Sequence, residues 1–258
     1  MRVISFSCDG IVRALQQGLF EWLKEQDVDV ICLQDLRALE YQLDPPEFHI
    51  PGYDAYFFDS GDPDSNGVAI YTRVQPKAII RGFGFPCGLD MYGRYIQADF
   101  EHVSIGSLMV PAQTDKDITL EDKQVFLDQL QGHLNKITRK RRDFIFCGNF
   151  NIAHKSADVA NAQSHEGEPG FLPAERDWFQ QVTGGLGYMD AFRCVSRDSD
   201  EYTWWPDTSG DGKHGDGWRV DYQLVSEHLG RRIEYGAIYT GRRFGSHAPV
   251  IIDYDLEL

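Results

Sequence analysis

Five polar side chains stand at the ends of short apolar runs in this 258-residue chain. Asp35 follows ICLQ, Asn149 and Asn151 follow FIFCG, Asp221 lies in WRVDYQLV and His247 lies in GSHAPVII. Carboxylate and amide oxygens are the ligands that hard divalent cations prefer, and a histidine can hold or move a proton beside a leaving oxyanion. The pattern is typical of a magnesium-dependent phosphodiesterase. The alternative is a set of turn and cap residues, because Asn and Asp readily bond their own backbone.

The apolar pattern indicates how these side chains would be brought together. Eight apolar runs predict strands, at residues 2–7, 29–34, 67–73, 93–100, 103–110, 143–150, 219–225 and 248–256. Helical spacing or helix-start signals are present at residues 12–23, 126–137 and 171–182. Strands with inserted helices predict an α/β fold in which two mixed sheets pack face to face with helices outside. We expect one domain over residues 1–258, since no linker or repeat interrupts the pattern.

The composition restricts the partners and the compartment. The formal net charge of −15 repels nucleic acid at long range, so any phosphate contact has to be local, cationic and sensitive to salt. The five cysteines are widely spaced without a CxxC pair, which favours a reducing cytoplasm and excludes zinc-finger spacing. The first residues read as a strand rather than a signal peptide, and there is no run of about 18 apolar residues. We therefore expect a cytoplasmic protein with no membrane span.

Basic residues cluster at three places on this acidic chain. Lys140, Arg141 and Arg142 belong to the run RKRR, and Arg231–Arg232 and Arg242–Arg243 form two pairs. A phosphate or partner contact is one interpretation, and for RKRR the other is a helix C-terminus, where cations meet the helix dipole favourably.

Two further patterns favour structural interpretations. Residues 207–217 resemble a calcium loop, but Trp218 stands where a bidentate Glu is needed, so we interpret the segment as a loop without metal. Trp204, Trp205 and Tyr222 could stack on bases, although large aromatics beside strands are more often core.

Ten motifs together resemble one family. They are VISFSCDG, DVICLQD, GVAIYTR, GRYIQADF, VPAQ, DFIFCGNFNIAH, GFLPAERDW, YTWW, WRVDYQLV and SHAPV, in the order of the exonuclease III / abasic-site endonuclease family. The resemblance covers nearly the whole chain. It implies a four-layer α/β sandwich with the site at the sheet edges that face one groove.

Six positions depart from what the resemblance implies for active members. Ser7 stands in place of Asn, Asp35 in place of a metal-binding Glu, Met109 in place of Tyr, Ala112 in place of a DNA-contacting amide, Asn149 in place of the Asp that activates water, and Ser246 in place of Asp. Asn151, Asp221 and His247 match. Asn149 cannot accept a proton, and a positioned base contributes about 10²–10⁴-fold to the rate. Asp9, two residues after Ser7, could return a carboxylate to the metal.

The departures resemble those of a branch of the family that is regarded as catalytically inactive and controls carbon catabolite repression. That resemblance implies a non-catalytic regulator that joins the RNA chaperone Hfq on A-rich sites of messenger RNA and represses translation. We then expect no cofactor, no metal unless Asp35 still binds one, and a monomer or weak self-association. Phosphate or partner contacts are assigned to the basic residues Lys140, Arg141, Arg142, Arg231 and Arg232.

Two enzymatic alternatives stay open. One is a magnesium-dependent exonuclease or abasic-site endonuclease acting on DNA, with Asp35, Asn151, Asp221 and His247 as its site. The other is a phosphodiesterase of small or lipid phosphates, because the wider superfamily includes such enzymes.

Overall fold

A computed structural model of the protein describes residues 1–115, 117–206 and 215–258. The described residues form twelve strands: β1 (Arg2–Ser7), β2 (Val30–Gln34), β3 (Asp54–Phe58), β4 (Val68–Thr72), β5 (Ala78–Arg81), β6 (Tyr95–Asp99), β7 (Val103–Met109), β8 (Asp143–Asn149), β9 (Tyr188–Asp190), β10 (Asp221–Ser226), β11 (Ile233–Ile238) and β12 (Val250–Tyr254). Most of the calcium-loop-like segment, residues 207–214, lies outside the described residues.

Six α-helices connect the strands in the described ranges: α1 (Ile11–Gln16), α2 (Leu19–Glu25), α3 (Leu120–Ile137), α4 (Pro173–Gln180), α5 (Ala191–Val195) and α6 (Glu227–Gly230). Short 3-10 helices lie at Glu40–Leu43, Pro46–Phe48, Leu89–Met91, Ser156–Asp158 and Ala162–His165, and a π-helical turn at Gln181–Gly185 extends α4. The helix α3 starts at a capping box, in which Thr119 Oγ1 accepts from the backbone of Asp122 and the Asp122 carboxylate accepts from Thr119.

The strands form two mixed sheets. The first has the order β11-β12-β1-β2-β4-β3 and the second β5-β6-β7-β8-β10-β9. In each sheet one central pair is parallel, β1 with β2 and β7 with β8, and the other neighbours are antiparallel. Because the two strands of each parallel pair run in the same direction, the C-terminal ends of β1 and β2 lie side by side, and so do those of β7 and β8. The polar residues of the site follow these strand ends.

Apolar side chains separate the layers. One buried cluster lies between the sheets and includes Val30 of β2 and Ile145 of β8. A second packs α1 and α2 on the first sheet, and a third packs α3 and α4 on the second sheet through residues such as Leu130 and Trp178. This arrangement confirms the predicted four-layer α/β sandwich.

Two local expectations need correction. The helical pattern over residues 12–23 forms two helices, because Gly18 adopts a left-handed conformation (φ 84°) that ends the first and caps the second. The sequence also missed four strands, β3, β5, β9 and β11. All four are sheet edges with partly exposed residues, so they lack the continuous apolar runs of the central strands.

All five cysteines are free thiols, and three of them are buried. Within the described ranges, no helix combines the length and the apolar character needed to cross a membrane.

Candidate functional site

Two carboxylates project from the loops that follow β1 and β2. The loops run side by side: Cys8 N donates to Gln34 O (2.8 Å) and Gly10 N donates to Asp35 O (2.9 Å). Both Asp9 (φ 52°) and Asp35 (φ 54°) adopt left-handed backbone conformations, which Asp and Asn hold more readily than most other non-glycine residues. The backbone therefore turns both carboxylates into one cleft, which each of them lines. Asp9, weighed from sequence as a replacement carboxylate, lies in the site although β1 ends at Ser7.

The second sheet contributes an amide pair. Asn149, the last residue of β8, is paired in register with Met109 on one side and Asp221 on the other. Its Oδ1 accepts from the backbone N–H of Asn151 (2.8 Å), and Asn151 Nδ2 donates to Val110 O (2.7 Å). These bonds hold Asn149 and Asn151 at the edge of the cleft with little freedom to rotate.

His247 is held by a buried carboxylate. Its Nδ1 lies 2.8 Å from Asp221 Oδ2, and the side chains are 6 % and 1 % exposed. Burial alone would lower the pKa of His247, but the Asp221 charge and hydrogen bond, with Asp9 and Asp35 farther away, raise the pKa above its ordinary value. Because Asp221 occupies Nδ1, Nε2 is the nitrogen left for the cleft that His247 lines.

Ser246 holds the Asp9 carboxylate in place. Its N–H (2.7 Å) and Oγ (2.5 Å) both donate to Asp9 Oδ2. Burial acts to raise the pKa of Asp9, but the His247 charge and the Ser246 hydrogen bonds outweigh it, so the pKa is lowered and Asp9 is a carboxylate at neutral pH. Ser7 Oγ and Asp221 Oδ1 are buried and have no hydrogen-bond partner in the part of the chain that the structure describes.

The guanidinium of Arg37 is bound to the carboxylates of Asp35 and Asp9. Arg37 Nε lies 3.0 Å from Asp35 Oδ1 and Nη2 lies 2.6 Å from Asp35 Oδ2, and the same Nη2 lies 3.8 Å from Asp9 Oδ1. Burial raises the pKa of the Asp35 carboxyl, and the Arg37 hydrogen bond and charge partly offset that rise. Arg37 lies two residues after Asp35, yet sequence reasoning missed it because an isolated arginine in a loop carries no signal.

Two more cationic side chains, which the sequence did not indicate, line the cleft. Lys123 Nζ donates to Asn151 O (2.8 Å) and pairs with Glu175 (2.5 Å). Arg94 is 2 % exposed and binds Asp115 through Nη2 (2.8 Å), while its buried Nε and Nη1 have no hydrogen-bond partner among the described residues. Arg94 therefore adds a buried, permanently charged guanidinium to the wall of the cleft.

The cleft has a volume of about 1490 Å³ and is acidic. Among the described residues, three Lys and Arg side chains line it against seven carboxylates: Asp9, Asp35, Asp62, Asp64, Asp115, Asp117 and Glu168. An anionic ligand would therefore be bound by the local cations and not by the field of the whole cleft.

The fold family implies a divalent cation in this cleft. Over the described ranges, no group of three or more His, Cys, Asp or Glu side chains is arranged to hold a metal ion. Both oxygens of Asp35 are bonded to Arg37, and one oxygen of Asp9 is bonded to Ser246. The donor set as it stands therefore does not fit a divalent cation.

The structure brings together the eight site residues predicted from sequence. Asp35, Met109, Asn149, Asn151 and His247 line the cleft, Asp221 and Ser246 bond to residues that line it, and Ser7 is buried at the end of β1 beside Gln34. Met109 is 5 % exposed and belongs to the core between the sheets. Of the aromatics, Trp204 lines the cleft whereas Tyr222 is fully buried.

The basic residues predicted to contact phosphate or a partner lie elsewhere. Lys140, Arg141, Arg231 and Arg232 are exposed, and neither they nor Arg142 line the cleft. Arg142 donates to the carbonyl oxygens of Phe100 (2.6 Å) and Val103 (2.9 Å) and to Ser104 Oγ (2.6 Å). The Arg142 guanidinium is thus used largely within the fold, and the assignment of these residues to a partner stays a prediction.

The comparisons with known proteins all relate this chain to endonucleases and exonucleases. Residues 11–238 match the model of the endonuclease/exonuclease/phosphatase family. An exodeoxyribonuclease of Bacillus subtilis (strain 168) is 30 % identical over 254 residues, 97 % of this chain and 98 % of its own. A DNA-(apurinic or apyrimidinic site) endonuclease of Dictyostelium discoideum is 26 % identical over 99 % of this chain and 71 % of its own. The structure of an AP endonuclease from Archaeoglobus fulgidus shares the fold, with a TM-score of 0.86 at 23 % identity over 99 % of this chain and 100 % of its own.

These comparisons correct two expectations. The interpretation as a regulator of catabolite repression that acts with Hfq on A-rich messages is wrong, because these relatives are named as nucleases of DNA. The expectation of a degenerate, non-catalytic site is wrong for the same reason. The substituted positions share their cleft with Asp9, Arg37 and Arg94. The chain belongs to the endonuclease/exonuclease/phosphatase family.

Proposed function

We propose that this protein cleaves phosphodiester bonds in DNA, as an exodeoxyribonuclease or as an endonuclease at abasic sites. The observation that carries the proposal is the His247–Asp221 pair, held at 2.8 Å in a large cleft of a chain that is 30 % identical to an exodeoxyribonuclease. A histidine fixed by a buried carboxylate is suited to proton transfer and to stabilising developing negative charge.

The protonation state of His247 determines its contribution. With its pKa raised by Asp221, His247 persists as an imidazolium closer to neutral pH than a free histidine does. In that state Nε2–H donates a hydrogen bond and places positive charge where a phosphate oxygen becomes more negative during attack by water. Asp221 keeps the ring in one orientation throughout.

Two further groups can hold the phosphodiester in place. The Arg94 guanidinium lines the cleft and is fixed by its Asp115 bond, so it can place positive charge beside the phosphodiester. The amides of Asn149 and Asn151 line the same cleft, already fixed by their own hydrogen bonds, so they can orient substrate or water at little entropic cost.

The acidic surroundings predict weak binding of the duplex as a whole. With a net charge of −15 and mostly carboxylates along the cleft, a long stretch of DNA backbone is repelled. Binding therefore depends on a few cationic contacts near the reacting phosphate. This favours a substrate that exposes one particular phosphate, such as an abasic site or a 3′ end.

The test is a cleavage assay with the full chain on two labelled duplexes, one with a single abasic site and one with a recessed 3′ end. Each is incubated with Mg²⁺, with Mn²⁺ and with EDTA. We expect cleavage of at least one duplex, and we expect His247→Ala to lower kcat/KM by about 10²–10⁴-fold. His228→Ala, which changes an exposed histidine on α6, is the matched control and is expected to cleave like the unaltered protein.

Two results would overturn the proposal. One is the absence of cleavage of either duplex by a folded sample under all three ionic conditions. The other is cleavage that His247→Ala and the unaltered protein perform at the same rate, since that activity would come from another site or another protein.

A further inference from the structure

The two carboxylates that line the cleft, Asp9 and Asp35, are already bound to a cationic side chain. Arg37 binds Asp35 through both carboxylate oxygens, at 3.0 and 2.6 Å, and its Nη2 lies 3.8 Å from Asp9 Oδ1. A bidentate guanidinium–carboxylate pair uses the oxygen lone pairs that would otherwise bind a metal ion. The three side chains thus form a closed unit in which two negative charges share one built-in positive charge.

We propose that the Arg37 guanidinium competes with divalent cations for the Asp9–Asp35 carboxylate pair and so gates their entry to the cleft. With Arg37 in place, each oxygen of Asp35 accepts a hydrogen bond from the guanidinium, whose positive charge repels an incoming cation, so a cation binds more tightly once the guanidinium has moved away. Without the guanidinium, two carboxylates with 7 % and 15 % exposed side chains face each other across the space that Arg37 filled. Oxygen ligands of this kind select hard cations such as Mg²⁺ and Mn²⁺.

Neighbouring atoms are consistent with a cation at this position. The side chains of Ser7 and Asp221 each hold a buried oxygen without a hydrogen-bond partner, and Asp221 belongs to the pair whose histidine faces the cleft. Ser7 lies in register with Gln34, the residue before Asp35. Buried oxygens without donors lower the cost of bringing positive charge to the region.

The backbone holds the arginine in place while leaving its end free to move. Arg37 has a left-handed conformation (φ 47°), and its N–H donates to Asn66 O (2.8 Å), so its Cα is fixed. Its side chain is 45 % exposed, whereas that of Asp35 is 7 % exposed. The guanidinium can therefore leave the carboxylates by side-chain rotation alone, without unfolding the loop.

One consequence rests on the proposed function. A phosphate of bound DNA offers the guanidinium an alternative partner of the geometry it prefers, so DNA and a divalent cation would enter the cleft cooperatively. The competition between Arg37 and cations needs no DNA, and it can be tested without any.

The experiment measures Mn²⁺ binding by electron paramagnetic resonance, using the full chain in the absence of DNA. Free Mn²⁺ is followed while unaltered protein, Arg37→Ala, Arg37→Ala with Asp35→Asn, and Arg13→Ala are titrated. We expect Arg37→Ala to bind one Mn²⁺ per chain at least about tenfold more tightly than the unaltered protein. The added Asp35→Asn change is expected to abolish the gain, and Arg13→Ala, which alters an exposed arginine of α1, is expected to leave the affinity unchanged.

Equal Mn²⁺ affinity in the unaltered protein and in Arg37→Ala would overturn the inference, as would a gain that survives Asp35→Asn. Thermal unfolding is recorded for each sample, and Arg37→Gln replaces Arg37→Ala if the latter does not fold. The cleavage assay on the same samples keeps the two proposals separate. A Mn²⁺ gain without cleavage supports the gate and contradicts the nuclease, whereas cleavage with unchanged Mn²⁺ affinity does the reverse.

Discussion

His247 Nδ1 lies 2.8 Å from Asp221 Oδ2, and the Asp221 carboxylate is buried with its other oxygen unpaired. The pair joins the two sheets, because Asp221 begins β10 of the second sheet and His247 precedes β12 of the first. Asp221 is the largest of the groups that raise the pKa of this buried histidine, ahead of Asp9 and Asp35, so the pH dependence of any activity in the cleft should report this contact between the sheets.

Asp221→Asn should shift the alkaline limb of the pH–rate profile to lower pH. The pKa of His247 is raised above its ordinary 6.5 chiefly by Asp221, so the imidazolium is present below the raised pKa and is lost as the pH rises through it. Asparagine keeps a hydrogen bond to Nδ1–H but removes the charge, which lowers that pKa. The measurement is kcat/KM for the cleaved duplex from pH 5 to 10, with exposed Asp255→Asn as the control. An alkaline limb that stays in place would show that His247 is not the titrating group.

Asn149→Asp should raise the rate of cleavage. Asn149 ends β8 in the cleft and accepts from the Asn151 N–H (2.8 Å), a bond that an aspartate oxygen can keep. The new carboxylate can accept a proton from water, and a positioned base contributes about 10²–10⁴-fold. Single-turnover kinetics with excess protein measure this, and Asn149→Ala serves as the comparison because it removes the side chain without adding a base. No increase in Asn149→Asp would place the proton acceptor elsewhere in the cleft.

Arg94→Lys should weaken DNA binding with little effect on folding. Lysine keeps the positive charge near Asp115 but loses the planar guanidinium, whose shape matches a phosphate better than an ammonium does. We expect the dissociation constant for a fluorescent abasic duplex to increase about tenfold, measured by anisotropy. The exposed Arg13→Lys is the matched control, and a salt series separates a lost phosphate contact from a general loss of charge. Equal affinity of Arg94→Lys and the unaltered protein would remove Arg94 from the binding site.

The sequence predicted the centre of each sheet and missed its edges. The eight predicted strands are the central ones, whose residues are buried on both faces and read as continuous apolar runs. The four edge strands are partly exposed, so their sequences do not differ enough from loops. Whether a strand lies at the edge of a sheet depends on how the strands assemble, and the local sequence of apolar and polar residues does not show it.

The sequence likewise predicted only part of the candidate site. A polar residue within an otherwise apolar strand, such as Asp221, is conspicuous in the sequence because its neighbours are apolar. Arg37 and Arg94 come from a loop and from the start of a strand, and only the packing of the two sheets shows that they share a cleft. The mistaken functional interpretation rested on the substituted site residues and on the resemblance to an inactive branch, and the similarity to nucleases of DNA overturns it.

Asp158→Asn should destabilise the fold without touching the cleft. Asp158 Oδ1 accepts from Arg219 Nε (2.9 Å) and from Arg193 Nη2 (2.8 Å), and Arg219 also binds Asp190 (2.8 Å). Asp158 and Arg219 are each 1 % exposed, so neutralising the carboxylate leaves the buried Arg219 with Asp190 but without Asp158. Because Asp190 still compensates part of the charge, we expect a loss of about 3 kcal/mol of unfolding free energy, the lower end for a broken buried pair. Urea denaturation at pH 7 measures the loss, and the exposed Asp177→Asn on α4 is the control.

The acid stability of the same variant gives an independent check. Burial acts to raise the pKa of Asp158, but the Arg219 and Arg193 contacts outweigh it and lower the pKa below the ordinary 3.8. The carboxylate therefore contributes stability that is fully present above about pH 3.8 and is lost as the pH falls through the lower, folded-state pKa. The free energy of unfolding should accordingly fall less steeply below pH 4 in Asp158→Asn than in the unaltered protein. An identical pH dependence of the two would mean that other carboxylates dominate acid unfolding, and that the contacts around Asp158 do not lower its pKa.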